Sequence, residues 1–283
     1  MAKFSRSGGG GRRSVYDFEE SAMIDPWLLT GARLCFLASF CHTLFVLKAR
    51  QFRPSPFDSV SIGCGFLLLT LWLWSRGKAV QACPITNFHE VLVFLSWATV
   101  LIYLIVGPTY RLSLMGAFTS PLVLAMLTGA LFFRESSPTL VNHNAYVEFH
   151  AALSLIAYGA FGLACVSSIM YLVQERHLKR HHTSSLFFNL PPINHLSTAS
   201  LRLLWLGFWM LTIAFLFGFL SRKPIADLKF WASLCIWILY GFLLIANVVR
   251  PLAAHKMAAM SILFFLTALM SLPGIYYLSS TIR

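Results

Sequence analysis

The stretch NHNAYVEFHAALSLIAYGAFGLACVSSIMYL, residues 142–172, decides the fold class. It opens with polar residues, continues as an uninterrupted apolar segment, and is followed by the charged sequence QERHLKRHH at 174–182. An apolar run of roughly 20 residues is long enough to cross a bilayer as a helix. We therefore predict one long transmembrane helix that carries His150 at its mouth, close to the membrane surface, and ends in a basic loop.

The remainder of the chain has the same character. Of its 283 residues, 58% are hydrophobic and 11% are charged, whereas soluble domains average roughly 25% charged residues. The predicted fold is all-α, a polytopic bundle of about eight transmembrane helices spanning residues 27–283, after a disordered polar tail at 1–26. The predicted helices are 27–47, 57–75, 86–106, 113–133, 148–173, 200–220, 230–249 and 257–278. No internal repeat is apparent beyond this hydropathy pattern.

Loop charge predicts the orientation of the bundle, because Lys and Arg are enriched in cytoplasmic loops. The most basic short loops follow the first and fifth helices and contain Lys48, Arg50, Arg53, Arg176, Lys179 and Arg180. We therefore place these loops in the cytoplasm and the mouth of the fifth helix outside, with both termini. Four basic residues fall on the outer side and oppose this assignment: Arg76, Lys78, Arg222 and Lys223.

Several functional classes are disfavoured. The net charge of +12 fits basic loops near anionic headgroups and does not require nucleic acid as a partner. The six cysteines include no C-x-x-C pair, which a thiol relay would use. The chain has no G-x-S-x-G or H-E-x-x-H motif of a hydrolase. Nor do its two halves share the broken-helix pattern of secondary transporters.

Charged side chains within spans are costly and usually face the interior of a bundle. Arg33, Glu90 and Glu148 lie at a similar predicted depth near the outer face. Two interpretations of Arg33 remain open. It forms an ion pair with Glu90 or snorkels to the interface, or it contacts an anionic ligand group such as a propionate.

Nine histidines are present, and two of them share one predicted depth. His89 and His150 lie on different helices, a few residues below the outer surface, and could supply the two axial ligands of a haem iron. The alternative is that each imidazole is a satisfied interfacial side chain. We assign the other histidines to loops or to the cytoplasmic half: His42, His143, His177, His181, His182, His195 and His255.

Four blocks resemble the CcsA/ResC cytochrome c assembly proteins. CPITNFHEVLVFLSW (83–97) is similar to their P-L-S-N-L-Y-E-S-L-x-F-L-S-W stretch and matches at Pro84, Asn87, Glu90 and the final F-L-S-W. Segments 149–179, 190–218 and 227–241 resemble later blocks in the family's order. The resemblance covers roughly residues 83–270.

This resemblance implies a protein that binds haem and passes it to apocytochrome c outside the membrane. His150 matches the first outer histidine of the family. The segment SRKPIA (221–226) lacks the family's tryptophan-rich motif, and the membrane histidines of the family fall near Ala82 and Ile245. The chain is therefore most similar to the shorter HemX/YpjD-like branch.

The prediction is an integral membrane protein that handles haem in cytochrome c assembly, in a bacterial inner (cytoplasmic) membrane. It would present haem to a partner subunit or to apocytochrome c, without being an enzyme alone; it could be an accessory subunit of a haem lyase system. The predicted site residues are His150 and His89 as iron ligands, Arg33 for a propionate, and Glu90, Trp97 and Tyr158 around them.

Two alternatives are kept open. The first is a HemX-like, non-catalytic membrane regulator or scaffold linked to haem biosynthesis, which acts on a cytoplasmic partner through the HLKRHH segment at 177–182. The second is a small-molecule transporter. Neutralising Arg176, Lys179 and Arg180 would test the first alternative.

Overall fold

The apolar segments form helices that run up and down in one bundle. The computed structural model describes residues 10–48, 56–107, 113–133, 144–179, 192–220 and 228–281. Those ranges contain helices and no strand, which confirms the predicted all-α fold. The helices are α1 (Gly10–Lys48), α2 (Pro56–Val80), α3 (Phe88–Val106), α4 (Ser113–Gly129, followed by a 3-10 turn at Ala130–Phe132), α5 (Ala145–Lys179), α6 (Ile193–Leu220), α7 (Leu228–Val249) and α8 (Ala254–Thr281).

Seven of these helices contain a segment long and apolar enough to cross a membrane. The exception is α4, whose apolar part, Phe118–Phe132, is shorter. Pro121 lies inside α4 without ending it, as expected where neighbouring helices can satisfy freed backbone groups. The chain is therefore a multi-span membrane protein.

Two helices extend beyond the apolar segments that predicted them. The α2 helix continues to Val80, so Arg76, predicted in an outer loop, is helical. The α5 helix continues to Lys179, so the charged residues Arg176 and His177 belong to the helix and not to the loop. Hydropathy marks only the apolar part of a helix. The helix itself can continue further, because its backbone groups bond to each other and charged side chains near its end can reach the polar interface.

Three other helices, α1, α6 and α8, begin three or more residues earlier than predicted. His195 and His255, assigned to loops, lie in the first turns of α6 and α8. The α1 helix begins at Gly10, so helical backbone extends into the stretch predicted as a polar tail. Residues 1–9 lie outside the described ranges, as do His143, His181 and His182.

The central helix of the bundle is α5. It packs against α3, α6 and α8, while α1 packs against α2 and α4. In the most apolar segment of α5, 83% of the residues are buried, whereas 28% are buried in the corresponding segments of α1, α2, α7 and α8. A Cβ on Gly159 would lie 3.0 Å from the backbone of Ala98 and Thr99. The absence of a side chain at this position therefore allows α5 to approach the α3 backbone directly.

Large apolar side chains cover the outside of the bundle. Such a surface suits contact with lipid chains and would be unfavourable in water. Exposed examples from five helices are Trp27, Trp74, Ile105, Trp209 and Phe242.

Candidate functional site

The carboxylate of Glu90 is the centre of a buried polar cluster at the start of α3. Its Oε1 accepts a hydrogen bond from Arg76 Nε at 2.7 Å, and its Oε2 accepts from the backbone N–H and the hydroxyl of Thr86, both at 2.7 Å. Asn87 caps the helix by accepting from the Glu90 N–H at 2.9 Å. Glu90 is 0% exposed and Arg76 is 4% exposed. Both oxygens of the buried carboxylate therefore accept hydrogen bonds, as a buried charge requires.

Arg76 is the residue of this cluster that hydropathy failed to identify. It follows the buried Trp72 by one helical turn, and this spacing is the one signal in the sequence that it faces inward. One of the interpretations of Arg33 pairs it with Glu90. The Arg33 side chain lies half-buried on α1 and donates its Nε–H to the carbonyl oxygen of Leu127 on α4, at 3.2 Å. The cation that neutralises Glu90 at 2.7 Å is therefore Arg76 on α2.

His89 is held at the end of α4. Its Nδ1 lies 3.0 Å from the carbonyl oxygen of Ala130. A carbonyl oxygen can only accept, so Nδ1 is the donor, and in the neutral imidazole Nε2 then carries the lone pair. His89 is 5% exposed, and its Nε2 has no hydrogen-bond partner among the described residues. The ring of Trp72 lies 5.9 Å away, and its indole N–H likewise has no partner within those ranges.

His150 is held in the same way by a different helix. Its Nδ1 donates to the carbonyl oxygen of Ala214 on α6 at 2.7 Å, which again leaves the lone pair on Nε2. Gly218, one turn further along α6, leaves space at the ring: a Cβ there would lie 3.0 Å from Nδ1. Phe215 packs nearby, with ring centroids 6.0 Å apart. His150 is half-buried, whereas His89 is enclosed.

The two imidazoles lie at one level and point in opposite directions. His89 precedes Ala98 by nine residues, and His150 precedes Gly159 by nine residues. Ala98 and Gly159 meet where α3 and α5 approach most closely. Nine residues are about two and a half helical turns, so each ring lies on the face of its helix away from that contact. That both imidazoles ligate one iron stays a prediction, and this arrangement places the two rings on opposite faces of the α3–α5 pair.

The mouths of α3 and α5 are joined by Glu148. Its Oε2 accepts a hydrogen bond from the Cys83 backbone N–H at 3.1 Å, which ties the start of α5 to the loop before α3. Burial, together with the carboxylates of Glu148 and Glu90, raises the pKa of the Cys83 thiol to about 11. This thiol is therefore neutral at physiological pH, as expected for a structural cysteine.

The two predicted aromatic residues lie on opposite sides of the α3–α5 pair. Trp97 donates its indole N–H to the Thr70 hydroxyl on α2 at 2.9 Å. Tyr158 is buried and shares a hydrogen bond with Ser233 on α7. That Trp97 and Tyr158 line one haem pocket stays a prediction. In this arrangement both side chains join neighbouring helices.

Within the described ranges, no three His, Cys, Asp or Glu side chains converge as a metal-binding group. Each imidazole is therefore available as a single ligand. A haem iron needs only one or two ligands from the protein, because the porphyrin supplies four nitrogens. The imidazole of His150, with its ring fixed and Nε2 available, can serve as one such ligand.

Comparison with known sequences identifies the family. Residues 85–282 match the family described as Cytochrome C assembly protein. The chain belongs to this family. It is 27% identical over 173 residues to Protein HemX of Brevibacillus brevis, covering 58% of this chain and 64% of that protein. It is 26% identical over 223 residues to the cytochrome c biogenesis protein CcsA of Chlamydomonas reinhardtii, covering 73% of this chain and 62% of that protein.

A second HemX, from Bacillus subtilis, is 23% identical over 206 residues, which cover 68% of this chain and 71% of that protein. The resemblance inferred from the four sequence blocks is thereby confirmed, including its HemX-like side. The chain spans slightly less than two thirds of the HemX from B. brevis and the CcsA from C. reinhardtii.

Proposed function

We propose that this protein handles haem during cytochrome c assembly and that His150 ligates the haem iron through Nε2. One observation carries the proposal: in a member of this family, the Nδ1–H of the half-buried His150 is held by Ala214, and Gly218 leaves room for the ring against α6. A hydrogen bond from the far ring nitrogen to a carbonyl fixes the tautomer and makes the coordinating nitrogen more basic. The chain thus presents a pre-oriented ligand.

The other site residues take separate roles in this proposal. His89 is a second, enclosed imidazole position and not the opposite ligand of the same iron, because the two rings face away from each other. Arg33 is the proposed partner of a propionate. Glu90 holds α2 to α3 through Arg76. Trp97 and Tyr158 brace α3 and α5 against their neighbours.

The proposed location is a bacterial inner membrane, with both termini and the mouths of α3 and α5 on the outer side. His150 would then lie where haem can be presented to a partner subunit or to apocytochrome c. Haem is cargo in this scheme. The protein residues bind it, orient it and shield one face of the iron, and a partner completes the transfer.

The test is the absorption of the purified full-length protein after growth with added haem precursor. The wild type is expected to show a Soret band. His150→Ala should lose at least tenfold in haem per protein, while His89→Ala should lose less. His195→Ala is the matched control, since that imidazole is exposed at the start of α6. A wild type without haem, or an unchanged band in His150→Ala, overturns the proposal.

A second function, regulation of haem synthesis through a cytoplasmic partner, is favoured by the length of α5. Its 35 residues span about 52 Å at ~1.5 Å per residue, against roughly 30 Å for the bilayer core. The excess carries Arg176 and Lys179, both exposed. In this alternative, Arg176→Ala/Lys179→Ala changes tetrapyrrole levels in cells and leaves the Soret band intact. Normal tetrapyrrole levels in that variant would exclude it.

A further inference from the structure

Two tryptophans make the same hydrogen bond in two parts of the bundle. Trp97 of α3 donates its indole N–H to Thr70 of α2, and Trp237 of α7 donates to Thr212 of α6, both at 2.9 Å. Each threonine hydroxyl in turn donates, at 2.8 Å, to the backbone carbonyl four residues earlier in its own helix. The two hydrogen bonds therefore have the same donor and acceptor groups, and each threonine hydroxyl donates to an equivalent backbone carbonyl.

The rings around these bonds also match. Phe66, four residues before Thr70, stacks on Trp97 with centroids 5.8 Å apart and an interplanar angle of 16°. Phe208, in the same position before Thr212, stacks on Trp237 at 5.5 Å and 19°. Two independent packing solutions would not be expected to agree in both a hydrogen bond and a stacked ring.

A glycine precedes each of these phenylalanines and receives a ring from the preceding helix. A Cβ on Gly65 of α2 would lie 2.8 Å from the ring of Phe36 of α1. A Cβ on Gly207 of α6 would lie 2.5 Å from the ring of Phe161 of α5. Both close approaches require glycine, since any side chain would clash with the ring. The sequence G-F-x-x-x-T thus occurs on α2 and α6 for the same two reasons.

The matching residues occur in the same helix order. Phenylalanine comes from the first helix of each half, G-F-x-x-x-T from the second and tryptophan from the third. The first helix of each half packs on the second and fourth, and the third packs on the fourth: α1 with α2 and α4, α3 with α4, α5 with α6 and α8, and α7 with α8. Since each half has four helices, both halves begin on the same side of the membrane, as in parallel repeats of transporters.

We propose that the chain consists of two copies of one four-helix unit, α1–α4 and α5–α8, and that a binding position present in both units is open for a haem-type ligand only in the second. Gly218 follows Thr212 by six residues, and Arg76 follows Thr70 by six residues, so they occupy the same position in the two units. In the first unit, the Arg76 side chain and its partner Glu90 fill this position. In the second unit, the absent side chain leaves room for the His150 ring, which is half-buried.

The ligand part of this inference rests on the proposed haem function, whereas the repeat does not. The asymmetry explains why one half holds a buried, hydrogen-bonded ion pair and the other a half-buried imidazole at the same end of the bundle. It also predicts that adding a side chain at Gly218 should close the second unit in the way that Arg76 closes the first.

The repeat is tested by two matched double-mutant cycles in the detergent-solubilised full-length protein. Trp97→Phe with Thr70→Val, and Trp237→Phe with Thr212→Val, each remove the indole–hydroxyl hydrogen bond; Thr→Val keeps the shape of the side chain, and Trp→Phe keeps an aromatic ring of smaller size. The loss of each threonine's own bond to the preceding turn is common to the single and double variants and cancels in the cycle. Thermal unfolding should show the same non-additivity in both cycles, while Trp97→Phe with Thr212→Val should be additive. Coupling in one cycle and none in the other would overturn the repeat.

The closed and open positions are tested by Gly218→Leu. It is expected to lower haem per protein at least tenfold without altering either cycle. The control is Gly63→Leu, because a Cβ on Gly63 has nothing within 4 Å. If Gly218→Leu retains haem at the wild-type level, the open position is wrong although the repeat stands. A wild type without haem would instead reject the proposed function, and the two cycles would still decide the repeat.

Discussion

Gly218 leaves just enough room for the imidazole of His150: a Cβ built there would lie 3.0 Å from Nδ1, tighter than an ordinary contact. Gly218→Ala should therefore displace the ring and weaken its 2.7 Å bond to Ala214. Although Gly→Ala inside a helix normally stabilises by about 0.5–1 kcal/mol, we expect a lower unfolding midpoint and a several-fold loss of haem. Gly63→Ala, where the Cβ meets open space, should retain haem. Equal behaviour of the two variants would contradict this assignment.

The ion pair of Arg76 and Glu90 should be a main determinant of stability. Arg76→Met leaves a carboxylate that is 0% exposed without its 2.7 Å partner. Removing one member of a buried pair costs about 3–5 kcal/mol, and chemical unfolding followed by circular dichroism measures the change. Lys179→Met breaks the exposed pair with Glu175 and should cost under about 0.5 kcal/mol. Similar losses of unfolding free energy in both variants would mean that the buried pair contributes no more to stability than the exposed one.

Much of the fold follows from the sequence, because each span is marked by its own apolar run. The helix ends do not, since Arg76 and Arg176 continue helices beyond the apolar segments. The G-F-x-x-x-T match between 65–70 and 207–212 was visible in the sequence. A match of six residues, separated by three intervening helices, is too weak a pattern to establish a repeat without the shared contacts of Trp97 and Trp237.

The candidate site was predictable in depth but not in direction. The position of His89 and His150 along their helices follows from counting residues. Which way each ring faces depends on how α3 and α5 are rotated against each other, and Gly159 fixes that rotation through a contact with the Ala98 backbone. Such a contact joins residues far apart in the chain, so no local pattern encodes it.

The close approach of α3 and α5 at Gly159 gives a further prediction. Gly159→Ala places a methyl group 3.0 Å from the Ala98 carbonyl carbon and the Thr99 nitrogen. Backbone atoms cannot rotate away as a side chain would, so the two helices must separate. We expect a loss of about 1–3 kcal/mol in unfolding free energy. Gly129→Ala is the control, because its nearest neighbour, a Leu92 methyl group, is 3.9 Å away. An unchanged unfolding midpoint in Gly159→Ala would show that this contact is looser than described.

The thiol of Cys83 offers a test of the link between the mouths of α3 and α5. Burial, Glu148 and Glu90 raise its pKa from 9.0 to about 11. In a variant with the other five cysteines replaced by serine, the rate of alkylation by iodoacetamide should rise with pH around a midpoint near 11 in the folded protein, because the thiolate is the nucleophile. Since the folded state favours the neutral thiol, the associated stabilisation is present below about pH 9 and is lost as pH rises through 11. Glu148→Gln should lower the midpoint, and denaturation in detergent should return it to about 9. A folded midpoint already near 9 would show that Glu148 and the protein interior do not enclose this thiol.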